Sequence, residues 1–170
     1  MNPAQTTYHA PANMRIGHIH LNVSDLARSI AFYRDVMGFD LLFDMGTAAF
    51  LSVGGYHHHI GLNTWYSLGA APVNRKSAGM YHFALNYPTR KDLANAYKRL
   101  VEVNYPITGS SDHTTHIAIY MTDPDGNGIE LAWDRDPSYW TIITDGKATM
   151  EKLQAANGPL DLTALLQEAD

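Results

Sequence analysis

The sequence predicts an α+β chain of two tandem β-α-β-β-β modules, a half-open eight-stranded mixed β-barrel (a cup) with its helices outside. Three observations predict it. Ile16–Val23 and Met80–Tyr87 share the pattern His-x-x-Leu-Asn, on His18 and His82, and read as two copies of one first strand. Each copy is followed by apolar residues at helical spacing. Each helix is then followed by three short β-like runs parted by turn residues. The chain divides into an arm at 1–14, a first module at 15–65, a linker at 66–79, a second module at 80–135 and an extension at 136–170.

The elements follow in order. Ile16–Val23 alternates as a strand, and Ser24-Asp25 opens a helix with Ser24 as its cap. Leu26, Ile30, Tyr33 and Val36-Met37 keep helical spacing, and Gly38 stops the helix. Phe39–Asp44, Thr47–Val53 and His57–Trp65 are the remaining strands of the first module. Gly69, Pro72 and Gly79 mark the linker. Tyr81–Tyr87 starts the second copy, Thr89 caps a helix from Arg90 to Val103, and strands follow near Pro106–Thr108, His113–Met121 and Asn127–Trp133. In the extension, Leu160–Leu166 reads as one short amphipathic helix, free to cover the cup mouth, brace a homodimer or pack on its own chain.

Bulk properties narrow the function. A length of 170 residues suffices for one core or two small modules. The formal net charge of -5, with Arg75-Lys76, Arg90-Lys91 and Lys98-Arg99 as the only tight basic groups, argues against a nucleic-acid partner. With no cysteine, thiolate metal sites and cysteine nucleophiles are excluded. No basic region with an apolar stretch opens the chain, and no apolar run approaches the roughly 18 residues of a membrane span. A cytoplasmic protein without a membrane partner is expected.

Strand alternation sorts the side chains by face. Ile19 and Leu21 pack under the helix, leaving His18 and His20 on the other side. Phe83 and Leu85 do the same in the second copy and leave His82 opposite. Ile129 and Leu131 enter the core, so Glu130 faces out with the histidines. Tyr120 lies ten residues before Glu130, across the Asp123-Pro-Asp-Gly-Asn-Gly128 turn. In the His57-His58-His59 run, alternation turns His57 and His59 toward the cup and His58 away. Two curved sheets joined side by side would gather these groups, with His20, His57, His59 and Asn63 as substrate-binding wall. Two histidines and a glutamate form the ligand set of a non-haem Fe(II) or related divalent site.

These motifs resemble the vicinal oxygen chelate superfamily, which includes glyoxalase I, extradiol dioxygenases, fosfomycin-resistance proteins and bleomycin-binding proteins. The resemblance rests on Gly17-His18-x-x-Leu21-x-Val23-x-Asp25-Leu26, Phe32-Tyr33-x-x-Val36-Met37-Gly38-Phe39 and Asp123–Leu131, and it covers roughly residues 15–135. Gly54–Trp65, Tyr81–Leu85, Tyr87–Ala94 and Ser111–His113 are similar to a bacterial subgroup labelled catechol-2,3-dioxygenase-like. The resemblance implies one divalent metal ion per chain on His18, His82 and Glu130, with Fe(II) favoured and Mn, Zn or Ni as alternatives. Gly61 falls where glyoxalase I carries a fourth ligand, which implies a three-ligand site open to a bidentate catecholate and O2. Tyr120 resembles the tyrosine beside the extradiol metal. His113 matches the subgroup's Asp-His, whereas His116 departs from the pattern, and either could move a proton near neutral pH. The extradiol loop histidine has no counterpart near Ser67.

The implied activity is a ring-cleaving dioxygenase acting on a small vicinal-oxygen aromatic compound with O2. Two alternatives stay open: a glyoxalase- or fosfomycin-resistance-type metal-dependent lyase or transferase, and a non-enzymatic small-molecule binder like the bleomycin-resistance proteins.

Overall fold

The fold is taken from a computed structural model that describes residues 8–74 and 76–170. The first half of the arm and Arg75 of the Arg75-Lys76 pair lie outside the described residues. The first module runs β1 (Ile19–Asn22), α1 (Leu26–Ala31), β2 (Asp40–Asp44), β3 (Ala48–Ser52) and β4 (Ile60–Asn63). The second runs β5 (Phe83–Asn86), α2 (Arg90–Glu102), β6 (Gly109–Asp112), β7 (His116–Thr122) and β8 (Gly128–Asp134). Their sheets have the same order, β1-β4-β3-β2 and β5-β8-β7-β6, each with one parallel pair beside antiparallel ones. This is the α+β architecture expected, two β-α-β-β-β units whose unclosed mixed sheets fit a half-open cup.

The helix caps follow their sequence. Thr89 and Asp92 form a reciprocal capping box at α2, since each side chain takes the other's backbone N–H. At α1 the cap is Asp25, whose carboxylate accepts from the Arg28 N–H, in place of the expected Ser24. Ser24 instead donates its hydroxyl to Asp125, some hundred residues away in sequence. Beyond Ala31 the helix widens into a π turn over Phe32–Val36, with a bond from Met37 N–H to the Phe32 carbonyl. The wider turn lets the consecutive Phe32 and Tyr33 both enter the core. Gly38 ends it at φ 79°, as expected of a helix-stopping glycine.

One apolar cluster runs through both modules, from Leu21, Ile30 and Leu62 to Leu93, Ile119 and Leu131. The modules meet through α1. Asp125 accepts hydrogen bonds from the Ser24 backbone, the Ser24 and Ser29 hydroxyls and the Arg28 guanidinium. Tyr33 donates to Asp123, and the Phe32 and Tyr105 rings lie 5.0 Å apart. Burial and the neighbouring Asp123 push the Tyr33 phenol well above its usual value, so it stays a donor.

Several boundaries differ from the sequence reading. The β4 strand begins only at Ile60, so the His57–His59 run lies in the turn after Gly54 and Gly55, both at positive φ. Strand alternation does not apply to that run. The strand expected near Pro106 starts at Gly109. The extension holds more than the one expected helix: a 3-10 turn at Pro137–Trp140, α3 (Thr141–Thr144), α4 (Met150–Ala155) and α5 (Leu162–Gln167). Of its three open roles, it packs on its own chain. Leu165 is fully buried, and Glu168 and Asp170 pair with Arg90 and Lys91 of α2. Among the described residues, no helix is long and apolar enough to cross a membrane.

Candidate metal centre

The second module builds its site on the β7–β8 hairpin. Asp123 locks the connecting turn, accepting from the backbone N–H of Asp125 at 2.9 Å and of Asn127 at 2.8 Å. The antiparallel register then sets Tyr120 directly across from Glu130 and His116 two pairs further along the same face. On the other side β5 runs parallel to β8, with Ala84 opposite Glu130. His82 precedes β5, and Gly128 allows its close approach. A Cβ at Gly128 would collide with the Tyr81 carbonyl and lie 2.9 Å from the His82 Cβ.

Glu130 is the centre of the cluster and only 7% exposed. Its Oε2 lies 2.8 Å from His82 Nε2, and its Oε1 lies 3.1 Å from His116 Nε2 and 3.3 Å from the Tyr120 hydroxyl. The hydrogen bond from His116 holds the Glu130 carboxyl below its usual range, against the opposing effect of burial. Burial and the nearby Glu130 push the Tyr120 phenol up to about 12, so it is a protonated donor at neutral pH. His113 Nε2 sits 2.7 Å from the Tyr120 hydroxyl, and the His113 and His116 rings stack at 4.6 Å. Among the described residues, the group of three whose donor atoms all lie within 4.8 Å of one another is His113, His116 and Glu130.

These residues fit a divalent cation. Two ligands at adjacent corners of an octahedron, each about 2.1 Å from the ion, are about 3.0 Å apart. The contacts of Glu130 with His82 and His116, at 2.8 and 3.1 Å, bracket that separation. Glu130 supplies the negative charge. The far nitrogens of two rings are already engaged, His116 Nδ1 at 2.9 Å from the Thr115 hydroxyl and His113 Nδ1 at 2.7 Å from Asn157 Oδ1. Such outer partners orient each ring so that its Nε2 faces the cluster.

The first module holds the other candidates. His18 is exposed and its ring lies 4.3 Å from that of His58 and 6.3 Å from that of His57. His18 thus stands among the imidazoles of its own module. His57 Nδ1 is 2.7 Å from His58 Nδ1. His59 is tied to the Ser52 hydroxyl at 2.9 Å. His20 covers Gly61, where an added Cβ would lie 2.9 Å from its ring. Asn63 is buried and accepts the Trp65 N–H in a turn. Asn157 was not visible to sequence reasoning, because nothing periodic links it to His113, 44 residues earlier.

Comparisons with known proteins agree with this fold. Residues 15–131 match the family model of the Glyoxalase/Bleomycin resistance protein/Dioxygenase superfamily. The chain is similar to the catechol-2,3-dioxygenase of Bacillus subtilis, 37% identical over 154 residues, covering 91% of this chain and 52% of that protein. It thus spans about half the length of that relative. It is also 36% identical over 118 residues to the metallothiol transferase FosB of Staphylococcus epidermidis, covering 68% of this chain and 79% of FosB. In fold it resembles a glyoxalase/dioxygenase from Nostoc punctiforme, at a TM-score of 0.61 and 24% identity, over 77% of this chain and 99% of that one. With a repeated β-α-β-β-β frame, a carboxylate ringed by imidazoles and a family match across both modules, the chain belongs to the Glyoxalase/Bleomycin resistance protein/Dioxygenase superfamily.

Proposed function

We propose that the chain is a metal-dependent oxidoreductase of the extradiol dioxygenase kind, opening the ring of a small catechol-type compound with O2. The observation that carries this reading is Glu130: a nearly buried carboxylate, held anionic, with the Nε2 atoms of His82 and His116 at its two oxygens. The likeness to the Bacillus catechol-2,3-dioxygenase supports the reaction class. One divalent ion per site is expected, Fe(II) ahead of Mn, Zn or Ni. When bound, it supplies Lewis acidity for two neighbouring substrate oxygens and an electron route to O2.

His82 and Glu130 hold the ion, and His18 of a second copy completes the set. Three features favour a second copy. The first module offers His18 no counterpart of Glu130, because the equivalent place, opposite His20, is Gly61. The His82 side chain keeps 30% of its surface open. Large apolar side chains flank both half-sites and stay exposed: Met14, Ile16, Trp65 and Tyr66 on one side, Met80 and Tyr81 on the other. The remaining side chains manage substrate. Tyr120, as a protonated phenol, donates its one hydrogen to His113 Nε2 at 2.7 Å and leaves its oxygen lone pairs to accept from a substrate hydroxyl. His116 braces Glu130 Oε1 and fixes the carboxylate plane.

A second arrangement is favoured by the convergence of His113, His116 and Glu130 within 4.8 Å, which would hold the ion inside one chain. Single substitutions separate the two. His18→Ala lowers metal affinity and His116→Ala has the smaller effect if the site spans two copies, and the order reverses if it does not. The activity test is anaerobic loading with Fe(II), then oxygen consumption over a panel of catechols. Uptake with ring-opened product supports the reading. Absence of uptake with every catechol, beside metal-dependent thiol transfer to fosfomycin or isomerisation of a methylglyoxal–thiol adduct, replaces it with one of the family's other activities.

A further inference from the structure

The segment between α4 and α5 reaches the edge of the Glu130 cluster. Gly158 forms a two-way backbone bridge with Asp112 on the edge strand β6, its N–H donating at 2.7 Å and its carbonyl accepting at 2.9 Å. The Thr114 hydroxyl donates to the Ala156 carbonyl at 2.8 Å. Asp112 is itself gripped by both terminal nitrogens of Arg135. The residue between these two anchors is Asn157, and its Oδ1 lies 2.7 Å from His113 Nδ1.

We propose that Asn157 is a positioning residue that fixes the tautomer of His113 and, through it, the direction of the Tyr120 proton. An amide oxygen only accepts, so His113 carries its hydrogen on Nδ1 and keeps a lone pair on Nε2. That lone pair faces the Tyr120 hydroxyl at 2.7 Å, whereas Glu130 Oε1 is 3.3 Å from the same hydroxyl. A phenol has one hydrogen to give, and it goes to His113. With the opposite tautomer, Nε2–H would donate to Tyr120, and the phenol hydrogen would turn to Glu130 Oε1. The carboxylate would then share its charge with a phenol and be the poorer ligand. Asn157 therefore protects the donor strength of Glu130 from a part of the chain outside both repeats. This consequence for cation binding rests on Glu130 being a metal ligand; the tautomer itself does not.

The test uses the full chain in two measurements. The first reads the neutral His113 ring, free of metal, by long-range nitrogen–proton NMR, with His113→Gln giving the assignment. The wild type is expected to show the Nδ1–H pattern. Asn157→Ala is expected to move to the Nε2–H pattern, and Asn157→Asp, whose carboxylate accepts the same hydrogen, to restore Nδ1–H. Thr114→Val removes a neighbouring anchor without touching the ring and is expected to retain Nδ1–H. An unchanged spectrum in Asn157→Ala, a failure of Asn157→Asp to restore it, or a copy of the Ala spectrum in Thr114→Val overturns the proposal. The second measurement titrates Mn2+ and Zn2+ by calorimetry. Asn157→Ala should bind about tenfold more weakly, with Asn157→Asp recovering the loss. Equal affinities beside a changed tautomer refute the link to Glu130. Absence of binding in the wild type refutes Glu130 as a ligand and leaves the tautomer result standing.

Discussion

Gly128→Ala is the sharpest single test of how the fold places His82. Gly128 opens β8, and a methyl group there has no room: it collides with the Tyr81 carbonyl and sits 2.9 Å from the His82 Cβ. Ordinary contact begins near 3.4 Å, so the His82 side must retreat by about 0.5 Å and the carbonyl by more. Neither obstacle is a flexible side-chain tip, so relief requires β5 to move away from β8. Overpacking of this kind costs about 1–3 kcal/mol, and the rigid partners place this case near the top. At about 2–4 °C per kcal/mol for a chain of this size, Tm should fall by about 6–12 °C. The same movement draws His82 Nε2 away from Glu130 Oε2, now 2.8 Å distant, so divalent affinity should fall about tenfold or more. Gly61→Ala is the contrast. Its Cβ would meet only the His20 ring, which can rotate, so about 1 kcal/mol is expected, recovered in the double variant with His20→Ala. Thermal melts by circular dichroism and calorimetric Mn2+ titration read both. A Gly128→Ala protein that melts within 2 °C of wild type and binds metal equally would refute the idea that this close approach holds His82.

Three further perturbations address the frame. Asp125 is 4% exposed and takes four donors from the start of α1, so Asp125→Ala should cost about 3 kcal/mol in chemical denaturation, as an unpaired set of donors is left at the module junction. Leu165→Ala should cost about 3 kcal/mol and free the extension, visible as early proteolysis after Asp134, since Leu165 is fully buried in the shared core. The Arg135 guanidinium holds the Asp112 carboxyl at about 2, below its ordinary 3.8; a lowered folded value stabilises above 3.8 and is lost as pH falls toward 2. With the Asp112 side chain 32% exposed, solvent screening reduces this to about 1 kcal/mol, and Arg135→Met should remove it, flattening the pH dependence of unfolding across that window.

The repeat was legible because strands have a period of two and the two copies share His-x-x-Leu-Asn. That pairing predicts two units of the same make, and alternation predicts the side of the sheet that carries His18, His82 and Glu130. The parity of β7 was also available: His116 and Tyr120 share a face with Glu130 across the hairpin. Three things were not legible. Periodicity cannot be extended through Gly54 and Gly55, whose positive φ breaks the strand before His57. Alternation tells which face a side chain occupies but not what lies opposite that face. That depends on how the modules dock, and docking is decided by single polar contacts such as Asp125 with Ser24 and Arg28, about a hundred residues apart. Asn157 acts from a short irregular stretch, where one hydrogen bond carries the information and composition carries none.

The two copies have kept one frame and divided the chemistry. Glu130 faces Ala84 and Tyr120 across its sheet, and the equivalent place in the first module is Gly61, between His20 and Phe50. The first module therefore offers imidazoles without an anion. Its His58 is pushed below its usual value by burial and by neighbouring His18 and His57, as befits a group of donors with no charge to balance a proton. The second module offers an anion with only part of a coordination sphere. The two faces differ in what they offer a divalent ion: the first brings nitrogens without charge, the second brings the charge. A neutral imidazole added to the Glu130 cluster would supply a ligand without a second carboxylate and so would leave an ion more residual charge. Gly61, at the place equivalent to Glu130, thus leaves the anion to the second module alone.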